Sequence, residues 1–568
     1  MNIPELILTN GKVYSVAMDD SIIRGEAVAV KDGKIMKVGT AENIMGLAGD
    51  ETEVIDCGGN TILPGLCDAH CHPSIALTAM SGADLFGVYR EEEQSADEVI
   101  DILMQKLKEY VDANPDKEVI RGTGWVYQIF NPNERFPTRH DIDKICPDKP
   151  VMLESFCQHN LWVNSKAIEM AGLDQNTPEP TIGRIYREET GYPQGVFNDP
   201  EAMDLIKLRV PGYDLSVAEY KEGIKWYQHE CANKYGVTFV QDCLHSDNAR
   251  QAYKELADEG ALTLRMRGVY FLKPASYEND MSEFIARKGA DNAGDDFRID
   301  TVKMFAEGMF SMIDGFLPEY CEAIGAPADY NGELYWPDDL FVKYAVKAME
   351  AGFNVHVHAM GSKSVKQSAE CLAKAQHIVG KAPRNTIAHL MLTPDETAEL
   401  MGRENIIANC QPSWMMLEED VMSEVAMVGE ELAFQSYPLR KFYDNGVMVA
   451  FGTDYPVTPP PDTMQEICVA MTRKVTPDVV GYEKFKDMTL GDEKPATLAE
   501  AVKALSLGGA FQMFGEDYTG SIEEGKSAEL VVLDSDLEAT PAEEIYKVKT
   551  SKTLFKGHVV YDLEKEAE

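Results

Sequence analysis

Nothing in the chain approaches the ~20 consecutive apolar residues that a membrane-spanning helix requires, so the sequence does not read as a helical membrane protein. The opening residues, Met-Asn-Ile-Pro-Glu-Leu-Ile-Leu-Thr-Asn, carry no basic stretch ahead of an apolar core. No signal peptide is therefore expected, and a cytoplasmic location is. Basic residues are scarce: 53 Lys and Arg stand against 95 Asp and Glu, a formal net charge of −42. A surface of that sign repels nucleic-acid backbones and anionic membranes, so neither is an expected partner. The 11 cysteines are odd in number and lack short regular spacing, which argues for reduced, mostly buried thiols.

What is present is ordinary globular material: 44% hydrophobic and 26% charged residues over 568 positions, enough for several domains. Residues 3 to about 60 read as short strands separated by Asp-Gly and Gly-Gly turns. Similar strands recur in Gly520–Asp534 and Ser551–Asp562, which predicts a composite β-sandwich domain of residues 1–60 with 515–568. Between these ends, apolar strands alternate with helical stretches, the pattern of a parallel α/β fold. The strands end at His70 and follow at Gly236–Asp242, Leu264–Tyr270, Thr301–Gly308, Asn354–Ala359, Asn385–His389, Asn405–Pro412 and Val447–Asp454. Eight of them predict a (β/α)8 TIM barrel over residues 61–514. The interval 80–225 is too long for one crossover and reads as a subdomain inserted after strand 1, over the barrel mouth.

The run Thr61-Ile-Leu-Pro-Gly-Leu-Cys-Asp-Ala-His-Cys-His-Pro73 organises the rest. An i, i+2 pair at a strand end turns both side chains to one face, so His70 and His72 converge as a divalent metal requires. Cys71 alternates with them and is expected to face away. Polar residues recur at other strand ends: Lys303, His358, His389 and Asp454. Each has a bland reading, as a snorkelling lysine, a hydrogen-bonded core histidine or a helix N-cap. Six such residues in one register at the C-terminal ends of barrel strands point to a site. His356 shares the face of His358.

The order His-x-His, Lys, His, His, Asp, together with the two-ended β domain, resembles the amidohydrolase superfamily of metal-dependent hydrolases. Gly122-Thr-Gly-Trp125, His159-Asn-Leu-Trp-Val-Asn-Ser165, Val302–Gly308, His358-Ala-Met-Gly361 and Phe451-Gly-Thr-Asp-Tyr-Pro456 narrow the likeness to the YtcJ-like group of amidohydrolase family 3, which includes N-substituted formamide deformylases. The family commonly has Asp-Gly after the strand 4 lysine and Asp after His-x-x-Gly; here Glu307 and Ser362 stand in those places. The resemblance implies one or two divalent ions, by default zinc, with manganese or iron as alternatives. It implies His70, His72, His358, His389 and Asp454 as ligands and Lys303 as a carboxylated bridge. Asp454 is then also the catalytic base and acid in water-driven cleavage of a non-peptide C–N bond in a small molecule. Trp125 and His159 in the insertion, and Gln411 ending strand 7, are candidate substrate-binding residues. A homo-oligomer, most simply a dimer, follows from the superfamily. The competing readings are an ester or lactone hydrolase, a deaminase, or a non-catalytic binding protein. Deaminase relatives carry a glutamate three residues after a barrel histidine, where this chain has Gly361 and Leu392.

Overall fold

The computed structural model describes residues 3–88, 90, 94–130, 135–308, 316–323, 326–332, 334–458 and 462–566. Eight strands form one parallel sheet: β1 (Leu66–Cys71), β2 (Val237–Asp242), β3 (Arg265–Phe271), β4 (Phe297–Phe305), β5 (Asn354–Ala359), β6 (Thr386–His389), β7 (Ile407–Cys410) and β8 (Val449–Phe451). Each pairs with its successor, so the sheet runs β1 to β8 in sequence order. Covered on both faces, these strands read as nearly unbroken buried runs, as parallel sheets do.

β8 returns to β1 without a regular ladder. Instead the Asp454 N–H donates to the His70 carbonyl at 2.8 Å and the His72 N–H to the Tyr455 carbonyl at 2.7 Å. Gly452 permits that approach, because a Cβ there would lie 2.5 Å from the His70 nitrogen. The seam that closes the barrel therefore passes through three of the predicted site residues.

Helices cover the barrel with apolar stripes at helical spacing. Helix Asp247–Asp258, capped by Ser246, buries Ala249, Ala252, Tyr253 and Leu256, an i, i+3, i+4, i+7 set. The apolar run from Thr61 is two strands rather than one. Thr61–Pro64 belongs to a six-stranded sheet, pairing in parallel with Lys12–Val16 and antiparallel with Leu530–Leu533, and β1 begins after Gly65. That sheet is built from both ends of the chain. A four-stranded sheet of N-terminal strands faces it across a shared core that includes Leu8, Val28, Ile62, Leu530 and Leu554.

The long interval after β1 holds a six-stranded sheet of its own, from Ala83–Asp84 to Pro193–Asn198, with helix Ala96–Ala113 among its cover. Ser95 and Glu98 close that helix with a capping box. Among the described residues no helix is long and apolar enough to cross a membrane.

Candidate metal centre at the barrel mouth

The strand ends bring five histidines, a lysine and an aspartate into one buried cluster. His70 Nε2 lies 3.1 Å from Lys303 Nζ and 3.3 Å from Asp454 Oδ1, while its Nδ1 lies 2.9 Å from His356 Nε2. His72 Nε2 is 3.0 Å from Asp454 Oδ1. The His358 and His389 rings meet edge to face with centroids 4.5 Å apart, and His389 sits 4.8 Å from His70. The six predicted ligands, His70, His72, Lys303, His358, His389 and Asp454, are all buried here.

Register accounts for most of this convergence. Parallel pairing sets Lys303 beside His356 and Phe305 beside His358, so all four share a face. His389 is the exception: the ladder pairs it with Ala359 rather than His358, a phase that on a regular strand turns it away. A left-handed backbone at His389 (φ 79°) and Leu390 (φ 55°) ends the strand there. Asp454 is left-handed too, at φ 59°. Non-glycine residues in that region cost roughly 1–3 kcal/mol each, and such strain concentrates at functional sites.

Burial disfavours protonation of four of these histidines. Burial first, then the Lys303 charge and neighbouring imidazoles, hold His70 and His356 well below the usual histidine range. Burial and His389 do the same for His358, and burial takes His389 down to about 4. Burial also lowers Lys303, which among the described residues makes no ion pair. Burial alone would raise Asp454, but the His72 hydrogen bond and the basic groups of His389, His72 and Lys303 outweigh it and lower its pKa. The result is a set of free imidazole lone pairs around one carboxylate.

This donor set fits a divalent ion. Ligand atoms of His70, His389 and Asp454 lie within 4.8 Å of one another, as do those of His70, Cys243 and His356. The Nδ1 atoms of His72 and His356 are buried without a hydrogen-bond partner. Neutral imidazoles with a carboxylate are zinc-type ligands.

The three residues expected to bind substrate take different places. His159 reaches the cluster from the insertion, its ring 5.9 Å from His358 and 6.3 Å from Phe305. Its Nδ1 bonds Asp199 Oδ1 at 2.8 Å. Burial lowers the His159 pKa, but the Asp199 bond and charge exceed that effect and raise it. Gln411 stands behind a histidine: its Oε1 lies 3.1 Å from His389 Nδ1, and its Nε2 donates to Asn409. With that pairing the His389 Nε2 lone pair is left for the cluster. Trp125 instead fills the insertion's core between Tyr127, Phe130 and Trp162, its indole N–H donating to the Leu153 carbonyl at 2.9 Å. Its size and apolar flanks suit packing as well as a pocket.

Several working residues escape the strand-end rule. Asp68 shares the inward phase of His70 and His72, an alternation visible in the sequence, and it accepts from the Thr453 hydroxyl at 2.6 Å and the Thr453 N–H at 3.0 Å. It thus ties β1 to the segment after β8, with burial pushing its carboxyl up to about 6 against those bonds. Trp414 stacks on His389 at 5.3 Å. Asp199 lies far along the chain from any barrel strand, and no sequence signal marks it. Cys71 does face away, its thiol 3.5 Å from the Gln241 carbonyl.

A parallel eight-stranded barrel with histidines, a lysine and an aspartate at its C-terminal rim defines a metal-dependent hydrolase. The chain belongs to the amidohydrolase family, whose model matches residues 53–561. It is 26% identical over 566 residues to the putative amidohydrolase YtcJ of Bacillus subtilis (strain 168), covering 97% of this chain and 98% of that one. It is 23% identical over 575 residues to the N-substituted formamide deformylase of Arthrobacter pascens, covering 98% of each. In fold it is similar to an uncharacterized metal-dependent hydrolase from Pyrococcus horikoshii OT3, with a TM-score of 0.70 at 21% identity, covering 94% of this chain and 99% of that one. The predicted family and TIM-barrel fold therefore hold, and the chain is a hydrolase of this family.

Proposed function

We propose that this protein hydrolyses a non-peptide C–N bond, an N-acyl or N-formyl amide of a small molecule. The observation that carries this is the convergence of His70, His389 and Asp454 ligand atoms within 4.8 Å, with the Lys303 amine 3.1 Å from His70 Nε2. His70, His72, His358, His389 and Asp454 would hold one or two divalent ions, zinc by default. When bound, such an ion supplies Lewis acidity and activates water near neutral pH. Burial lowers the Lys303 pKa, which favours the free amine that captures CO2, and its carbamate would give the site a two-oxygen anion in place of a cation.

Asp454 Oδ1, held by His72 Nε2, accepts the proton from the attacking water and returns it to the leaving nitrogen, base becoming acid. Gln411 keeps His389 in one tautomer. His159, fixed by Asp199, faces the substrate from the insertion. Phe305 stacked on His358 and Trp414 on His389 offer apolar walls, suited to a substituted amine or acyl group. Residues 1–60 with 515–568, joined by the Thr61–Pro64 strand, form the composite β domain, the rest of 61–514 the barrel and 80–225 the inserted cover. A cytoplasmic homodimer completes the reading.

Zinc-loaded protein should cleave members of an N-formyl and N-acyl amine panel, and Asp454→Asn should not. Cleavage confined to esters and lactones would replace the amide reading; no turnover of any panel member by a metal-replete protein would remove it.

A further inference from the structure

Outside the ligand set implied by the family, one thiol reaches the cluster. Cys243 follows the last residue of β2, on the rim where the histidines stand, and is completely buried. Its backbone N–H donates to the Cys71 carbonyl at 2.8 Å, which pins the turn. The thiol itself makes no hydrogen bond among the described residues, whereas the Cys71 and Cys67 thiols, which face away, find the Gln241 and Ser506 carbonyls. Ligand atoms of His70, Cys243 and His356, from β1, the end of β2 and β5, all lie within 4.8 Å of one another.

We propose that Cys243, His70 and His356 form a nitrogen–sulfur metal site in which a divalent ion of zinc type carries a thiolate ligand. Zinc bonds of roughly 2.0–2.3 Å in tetrahedral array place ligand atoms about 3.3–3.8 Å apart. With ligand atoms no more than 4.8 Å apart, the cluster meets that with side-chain adjustments of roughly 1.5 Å at most. His70 turns Nδ1 toward His356 at 2.9 Å and Nε2 toward Lys303 and Asp454, so one ring serves both sets. A neutral imidazole offers one lone pair, so an ion on the thiolate side competes with one on the Asp454 side. His356 turns Nε2 toward His70 and has a buried Nδ1 without a partner, so among the described residues no hydrogen bond at Nδ1 holds the ring against metal binding. The thiolate is the form of cysteine that ligates zinc, so metal binding at this sulfur releases its proton. The soft sulfur selects zinc, cobalt or cadmium over magnesium, calcium or manganese.

The test is titration of metal-free full-length protein with Co(II), read by absorption, and zinc-edge X-ray absorption on the zinc form. Wild type is expected to show a near-ultraviolet thiolate-to-cobalt band and a sulfur neighbour to zinc, both lost in Cys243→Ser and kept in Asp454→Asn. A wild type bound through nitrogen and oxygen alone, or a band that survives Cys243→Ser, overturns the site while leaving the amide-hydrolase reading standing. Should Cys243→Ser fail to fold, the wild-type zinc spectrum still decides, because absence of sulfur there refutes the site outright. Cys71→Ser, with its thiol turned away, is expected to keep the band.

Discussion

The Glu307 carboxylate spans from the end of β4 to the helix after β5, where its Oε2 accepts the Ser364 hydroxyl at 2.6 Å. Its Oε1 accepts the N–H groups of Gly361, at 3.1 Å, and Met360, so one buried side chain fixes the loop that follows His358. The carboxylate also sits at the N-terminus of helix Ser362–Val379, where a negative charge is favoured. The aspartate common in the family at this place is one methylene shorter. Glu307→Ala strands two backbone donors and leaves the Ser364 hydroxyl only the Gly361 carbonyl, at a cost on the order of 3 kcal/mol. Urea unfolding should register that loss, and turnover should fall at least tenfold as the His358 loop loosens, with Glu307→Gln intermediate. Unchanged stability in Glu307→Ala would remove the clamp.

In the proposed reaction Asp454 serves both the metal set and the proton path, and one substitution separates the two. Asn keeps the shape and an oxygen near His72 Nε2 but cannot carry a proton between water and leaving group. Asp454→Asn should retain most bound metal, by elemental mass spectrometry, and lose roughly 10²–10⁴-fold in turnover. Full turnover in this variant would take Asp454 out of its assigned role.

The rim was legible because five of the eight strands, β1, β4, β5, β6 and β8, are apolar runs that reach a histidine, lysine or aspartate at or near their ends. His70, His72, Lys303, His358, His389 and Asp454 stood out by that recurrence, while their roles came from the family resemblance, and the apolar strands of both termini announced their pairing by length and turns. What stayed hidden depends on long-range packing. Gln411 suggested carbonyl recognition, yet its partner is His389, a contact no local pattern encodes. His389 reaches the site through a left-handed backbone rather than by strand phase. Trp125, in a motif shared with the family, is consumed by packing. Asp199 meets His159 only because the insertion folds back on itself, and Cys243 was one of eleven cysteines with nothing nearby in sequence to single it out.

Lys303 tests the number of ions. Its amine is fully buried, lowered in pKa and 3.1 Å from His70 Nε2, so a lone cation there opposes metal whereas a carbamate recruits it. Protein grown with zinc and bicarbonate should hold close to two ions per chain, and Lys303→Ala about one. A count of one that is indifferent to Lys303 would mean a mononuclear site with the lysine in a structural role.

Glu466 supplies a pH dependence that does not rely on the metal. Its side chain is buried on helix Thr463–Thr472, one oxygen bonded by the Ser413 hydroxyl and the other without a partner. Burial pushes its carboxyl up to about 8, opposed by the Ser413 bond and aided by the Asp68 charge. A carboxyl whose folded pKa is raised binds its proton more tightly folded than unfolded. That stability is complete below the unfolded value of 4.5 and is lost as pH rises through about 8. The full span is worth on the order of 4 kcal/mol. Glu466→Gln imitates the protonated acid and carries no charge to bury. In chemical unfolding from about pH 5 to about pH 9, the variant should gain on wild type as pH rises, with most of the gap open by the alkaline end. Because Ser413 precedes Trp414, which stacks on His389, the variant should also keep turnover further into the alkaline range. Parallel stability curves for the two proteins would mean that Glu466 is already ionised in the folded state at neutral pH.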